Sequence, residues 1–346
     1  MIASLAVPPR PKRVLILKPS ALGDVVTALP VLGGLRRSFP DCRVAWMVSD
    51  ACAGLIAHDS RLDEVILFER RRLGRAWRSA SAAAALVGLV RGLRRRRFDW
   101  VIDLQGLLRS GLLSFVSRSP VRAGFADARE SADLFYTHVV RPAEPHTVDR
   151  NIALARSLGV DCRPDDMRLE VSAAGIAFAD TFCSTHHIDR GQFLVCVPST
   201  TWATKRYPVR HWRSVVSRLA GRIPIVLTGL PSERGLCEAV AEGIAGVTNL
   251  AGRTSAAELV GLIAASAGVV CCDSAAKFIA PAVGVDCLVL IGPTRVERTG
   301  PYLGGRAVVA KVPCQGCLKR RCRHITCMQM IDPDEVAAAA QAMVER

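Results

Sequence analysis

No stretch of this 346-residue chain stays apolar for the roughly 18 to 20 residues that a membrane-spanning helix needs. The longest candidate, Ala82 to Val90, is short and alanine-rich, so a helical membrane span is excluded. The opening residues, MIASLAVPPRPKR, lack the charged start and long apolar region of a secretory signal, and a cytoplasmic protein is expected. Also missing are the glycine fingerprint of a dinucleotide site and the lysine-bearing phosphate loop of an ATPase. Acidic residues run short as well: 31 against 46 lysines and arginines, a formal charge of +15. Residues 1–110 hold 19 basic and 9 acidic side chains, so two thirds of the excess lies in the first third, which should face something anionic.

What is present is an alternation of short strand-like runs and longer helical patterns, the mark of parallel α/β units. The length exceeds one ordinary core, so two domains are expected. In the first half, 13–18, 43–48, 64–68 and 99–104 read as strands, with helices near 24–38, 76–94 and 106–117. In the second half, 192–197, 224–229, 268–273 and 286–292 repeat the pattern, with helices near 208–220, 232–243, 255–265 and 274–283. A polar, proline-containing stretch at 158–175 reads as a linker, giving domains 1–170 and 171–346. Asp332 and Pro333 open a closing helix as its N-cap and first residue. In tandem doubly wound sheets, ligands collect at the carboxyl ends of the strands, and a cleft between the two sheets is the expected site.

The strand-to-helix turns therefore carry the candidates. In LILKPSALGDVVTALPVLGGLRR (15–37) a lone carboxylate, Asp24, stands between a strand and its helix. Two readings are open: a first-turn carboxylate favoured by free backbone N–H groups, or a general base at the site mouth. The turn VPSTTWATKRYPVRHW (197–212) offers hydroxyls and the point charge of Lys205, which suits a phosphate or pyrophosphate; a solvated polar loop is the alternative. Asp273 and Ser274 end another strand, with Lys277 either adding charge there or projecting into solvent, and GPTRVERTGPY (292–302) follows at the same edge.

These stretches, with FDWVIDLQGLLRSGLLSF, HTVDRNIALARSLG, LTGLPSER and NLAGRTSAAELVGLIAAS, run in one order from about residue 13 to 335. In that order they resemble the bacterial heptosyltransferases of glycosyltransferase family 9, the heptosyltransferase I branch in particular. The resemblance implies a GT-B fold, α/β, of two facing Rossmann-like doubly wound parallel-sheet domains, the first binding acceptor and the second the nucleotide-sugar donor. It implies inverting transfer of a heptose or related sugar from ADP-heptose to an anionic lipid-linked acceptor of the Kdo–lipid A type. No cofactor or catalytic metal is required, and the location is peripheral at the inner face of the cytoplasmic membrane. Carried over by position, Asp24 resembles the base and Lys205 the partner of the departing diphosphate. Ser199, Thr201, Thr228, Gly229, Glu233, Asp273, Ser274, Lys277 and Thr294 fall on the donor side, and Ser20, Asp103 and Gln105 on the acceptor side. The family pattern Asp-Ser/Thr-Gly, two variable residues, His is changed: Ala275 and Phe278 replace Gly and His, with Lys277 a replacement charge. The alternative is a catalytically silent or re-targeted GT-B protein binding another nucleotide sugar or a lipid.

Two further features stand apart. Residues 69–100 carry Arg70, Arg71, Arg72, Arg75, Arg78, Arg91 and Arg94 to Arg97. Part of that charge suits a helix C-terminus, and the rest a surface that approaches the anionic inner leaflet or a phosphorylated lipid. Thirteen cysteines without a signal peptide read as reduced core thiols. Four of them, Cys314, Cys317, Cys322 and Cys327, have the spacing of a structural zinc site. Interleaved basic residues would also suit nucleic acid, but no nucleic-acid partner is expected.

Overall fold

The computed structural model describes residues 7–345; the first six residues of the N-terminal stretch read above lie outside it. The chain divides after Arg168 into two compact units. Among the described residues no helix is long and apolar enough to cross a membrane.

The first unit is a six-stranded sheet: β1 (Arg13–Leu17), β2 (Arg43–Val48), β3 (Glu64–Leu67), β4 (Trp100–Asp103), β5 (Val121–Phe125) and β6 (His138–Val140). Every pairing is parallel, in the order β3-β2-β1-β4-β5-β6. The second unit repeats the topology with β7 (Leu194–Val197), β8 (Ile225–Leu227), β9 (Val247–Asn249), β10 (Gly268–Cys272), β11 (Cys287–Leu290) and β12 (Arg306–Val308), ordered β12-β11-β10-β7-β8-β9. Apolar runs such as Val14–Leu17 and Val269–Cys272 are fully buried because helices cover both faces of a parallel sheet. In each sheet the chain reverses direction beside its first strand, between β1 and β4 and between β7 and β10, which is where such folds bind ligands.

The doubly wound parallel sheets follow the sequence reading. The four strands it passed over are β5, β6, β9 and β12. Three of these are edge strands only three residues long, too short for a period-2 pattern to register. β5 contains Arg122 and Gly124, and Gly124 is needed because a Cβ there would run into the Tyr136 ring. The helix expected over 24–38 is two helices, Leu22–Val26 and Leu29–Ser38, the second starting with Pro30 in its first turn, where a missing N–H costs nothing. The expected linker is largely packed structure. Cys162 lies against Gly34, the Arg37 guanidinium holds Asp166, and the Leu169 N–H donates to the Ala282 carbonyl. The closing helix, Pro333–Val344, has Asp332 as its cap, accepting the Asp334 N–H at 2.9 Å.

Candidate functional site

In the first unit the turns after β1 and β4 meet. Asp24 is the third residue of helix Leu22–Val26, and its Oδ2 accepts the Ala21 N–H at 3.0 Å. The capping reading is thus realised, with a half-buried carboxylate whose direction is fixed. The Ser20 N–H donates to Gln105 Oε1 at 3.4 Å, which joins this turn to the β4 turn. Asp103 lies beneath and has no exposed surface. It accepts the N–H groups of Gln105 and Gly106 at 2.9 and 3.1 Å and the Tyr136 hydroxyl at 2.7 Å. Burial raises its pKa against those hydrogen bonds. Asp103 is therefore a support for Gln105 rather than an open contact. Lys18, which the sequence reading passed over, is 6% exposed and donates from Nζ to the Leu104 carbonyl at 2.6 Å. A lysine ending a buried strand was the signal for it.

In the second unit the turns after β7, β10 and β11 converge on Asp273, which is 5% exposed. Its Oδ1 is ion-paired with Lys277. Its Oδ2 lies 2.8 Å from Lys205 Nζ and accepts the Thr294 hydroxyl at 2.6 Å. Its main-chain carbonyl accepts the Thr200 hydroxyl at 2.8 Å. Burial alone would raise the Asp273 pKa, but Lys277 and Lys205 outweigh it and bring it down to about 2. Lys277, 3% exposed, does not project into solvent; it sits over the Phe278 ring at 4.7 Å.

One carboxylate thus faces two ammonium groups, a surplus of one positive charge in a largely buried place. Unpaired buried charge is costly, so the arrangement is complementary to an anion. At the ends of the adjacent strands β7 and β8 the Ser199 and Thr228 hydroxyls are buried without a hydrogen-bond partner, and Ser274 Oγ is likewise buried beside the Cys271 thiol. Buried polar atoms are normally paired, and hydroxyls left over at the carboxyl ends of β7, β8 and β10 suit a polar ligand. Thr201 is exposed. Glu233 turns its carboxylate back to accept the Leu230 N–H at 2.7 Å, folding over Gly229, where a Cβ would meet Glu233 Oε2 at 3.0 Å. Ala275 takes an ordinary helical φ of −63°, so its methyl adds bulk without backbone strain.

The four cysteines of the 314–327 segment differ in burial. Among the described residues no three His, Cys, Asp or Glu side chains are placed to hold a metal ion. Cys327 is buried in the core beside Met328, whereas Cys317 is exposed. Burial, then the neighbouring Cys314, Cys317 and Cys322, pushes the Cys327 thiol up to about 11. The segment props the Lys205 turn: the Lys319 carbonyl accepts the Thr204 hydroxyl at 3.0 Å, and the Arg320 guanidinium lies 4.6 Å from the Trp202 ring. Lys205 Nζ lies 4.4 Å from that same ring.

The pattern of glycosyltransferase family 9 (heptosyltransferase) matches residues 86–327. The chain belongs to this family. This family 9 chain is 31% identical over 310 residues to lipopolysaccharide heptosyltransferase 1 of Escherichia coli K12, covering 87% of this chain and 94% of that one. Its fold matches the structure described as E. coli heptosyltransferase WaaC with ADP, at a TM-score of 0.77 and 28% identity over 96% of this chain and 99% of that one. It matches the same enzyme with ADP-2-deoxy-2-fluoro heptose at a TM-score of 0.75 and 27% identity, over 95% and 99%. The two parallel six-stranded sheets are those of the GT-B heptosyltransferases.

Proposed function

We propose that this chain is an inverting, metal-independent glycosyltransferase that moves a heptose from ADP-heptose to a lipopolysaccharide inner-core acceptor of the Kdo–lipid A type. The observation that carries the reading is the buried Lys205–Asp273–Lys277 cluster with its surplus positive charge and spare hydroxyls. It lies at the strand ends of a unit whose relative was solved with ADP and with an ADP-heptose analogue. The second unit takes the donor: Lys205 meets the diphosphate, with Ser199, Thr201, Thr228, Ser274 and Thr294 as hydroxyl partners and Gly229 and Glu233 on the nucleoside side. The first unit takes the acceptor near Ser20 and Gln105, with Asp103 holding that turn.

In the reaction the acceptor hydroxyl oxygen bonds to the anomeric carbon while its proton passes to Asp24. The bond from that carbon to the ADP oxygen breaks, the electron pair leaves with ADP, and Lys205 meets the developing charge. Calorimetric titration with ADP and ADP-heptose tests this. Lys205→Ala is expected to weaken both by about tenfold or more, since it removes a charge-assisted contact. Asp24→Ala should leave both affinities unchanged while transfer falls by about 10²–10⁴, the usual contribution of a general base. If neither ligand binds at millimolar concentration, the reading fails. Ala275 and Phe278 would then mark a site re-targeted to a different nucleotide sugar or a lipid.

A further inference from the structure

Helix Leu108–Val116 begins three residues after Gln105 and packs Leu113 into the core on one face of the first sheet. Its outward side is apolar too. Leu108, Leu112 and Phe115, spaced i, i+4 and i+7, are 39%, 40% and 54% exposed, a spacing that lines one side of a helix. The Phe115 ring lies 5.9 Å from that of Phe135, which carries the strip on to Leu134, 77% exposed. Helix Ala80–Arg96 covers the same core through Leu89 and Leu93 and lies alongside, Arg94 Nε donating to the Val116 carbonyl at 3.0 Å. It leaves Val87 outward, and the preceding turn holds Trp77, 75% exposed.

Cations border this apolar surface. Arg109 and Arg118 are exposed, the Arg122 guanidinium lies 5.7 Å from the Phe115 ring, and that of Arg78 lies 3.8 Å from the Trp77 ring. Residues 69–97 hold ten arginines against one acidic residue, Glu69, and Glu69 is itself paired with Arg72 at 2.9 Å.

We propose that this face of the first unit docks on an anionic lipid bilayer, seating Leu108, Leu112, Phe115, Leu134 and Trp77 at the headgroup boundary with the arginines on lipid phosphates. The chemistry of the two parts requires both halves of such a surface. Exposed leucine and phenylalanine gain from leaving water, tryptophan favours the interface, and arginines beside them are attracted to anionic headgroups. A nucleic acid would satisfy the arginines and leave the apolar strip in water. A second protein would satisfy the strip but would have to supply acidic groups for the eight arginines of 69–97 that hold neither Glu69 nor Glu64. The proposal rests on the lipid-linked acceptor reading in one respect: a membrane-anchored acceptor must be met at the membrane, and the strip starts at the acceptor turn.

The test is co-sedimentation of the full chain with vesicles of phosphatidylcholine alone and of phosphatidylcholine with phosphatidylglycerol, together with tryptophan emission. Trp46, Trp100 and Trp212 are buried and Trp202 is half-buried in the second unit, so a blue shift on binding that Trp77→Phe abolishes reports this surface. Binding is expected to the anionic vesicles and to fall with added salt. The pair Leu112→Ser and Phe115→Ser should weaken it by about tenfold, and Arg75→Ala and Arg78→Ala by about five-fold each. Equal binding to neutral vesicles, no effect of the strip variant, RNA binding without vesicle binding, or a dimer that the strip variant dissolves would each overturn it. ADP calorimetry on the same variants separates the two readings. Intact ADP binding without vesicle binding refutes docking alone, and vesicle binding without ADP binding refutes the donor reading alone.

Discussion

Lys205 Nζ lies 2.8 Å from Asp273 Oδ2, while Lys277 occupies the other oxygen of that carboxylate. The pairing ties stability to acid. The folded pKa of Asp273, about 2, is below its ordinary 3.8, so the unfolded chain binds the proton more tightly. The contribution is complete above about pH 5 and is lost as the pH falls through 2, amounting to about 2 kcal/mol. Urea unfolding between pH 6 and pH 2.5 should show that acid limb in the wild type. An Asp273→Asn protein with the same limb would refute the assignment.

The same cluster makes the two lysines unequal. Lys277 is 3% exposed, whereas the Lys205 side chain keeps 13% of its surface open. Lys277 is thus the inner counter-ion that balances Asp273 and leaves Lys205 free to turn toward an anion. Lys277→Met should leave Asp273 and Lys205 as a neutral pair and weaken ADP about tenfold, with adenosine binding unchanged. Adding Asp273→Asn to Lys277→Met frees Lys205 again and should restore part of the loss. A double variant no better than the single one would mean that Lys277 acts only on folding.

Tyr136 reaches Asp103 because Gly124 makes room for its ring. Gly124→Ala is expected to cost about 1–3 kcal/mol by overpacking. Tyr136→Phe should cost about 1–3 kcal/mol by leaving a buried carboxylate oxygen short of a donor. Both should raise the KM for acceptor through the Gln105 turn and leave ADP affinity alone. An ADP affinity that falls with either would show that the coupling runs through global stability instead.

How much of this was legible beforehand depends on chain locality. Strands such as Val269–Cys272 and turns such as Ser199 to Lys205 show in the sequence because their signals are contiguous. That Lys277 turns inward to Asp273 was not readable, since i,i+4 spacing permits both a buried pair and an exposed one. Nor was Gly124, whose meaning lies in a ring twelve residues later. The outward strip at 108, 112 and 115 has the same period as a buried one, and only the placement of Leu113 in the core tells which side faces out. The spacing of the four cysteines shows in the sequence but their burial does not: helix Thr326–Gln329 draws Cys327 into the core while Cys317 stays exposed.

That last point gives the cysteines a measurable order. Ten of the thirteen are buried, Cys314 and Cys322 are half-buried, and Cys317 alone is exposed. Burial also pushes the Cys162, Cys237 and Cys287 thiols up to about 12, so few thiolates form in the interior at neutral pH, and alkylation requires the thiolate. Mass spectrometry after brief alkylation of the native protein should find Cys317 modified first, Cys314 and Cys322 next, and the other ten only when the chain is unfolded. A bound metal would reverse that order by shielding all four cysteines of the segment together. Protection of Cys317 that a chelator removes, with about one zinc per chain by elemental analysis, would establish the zinc site that its spacing suggests.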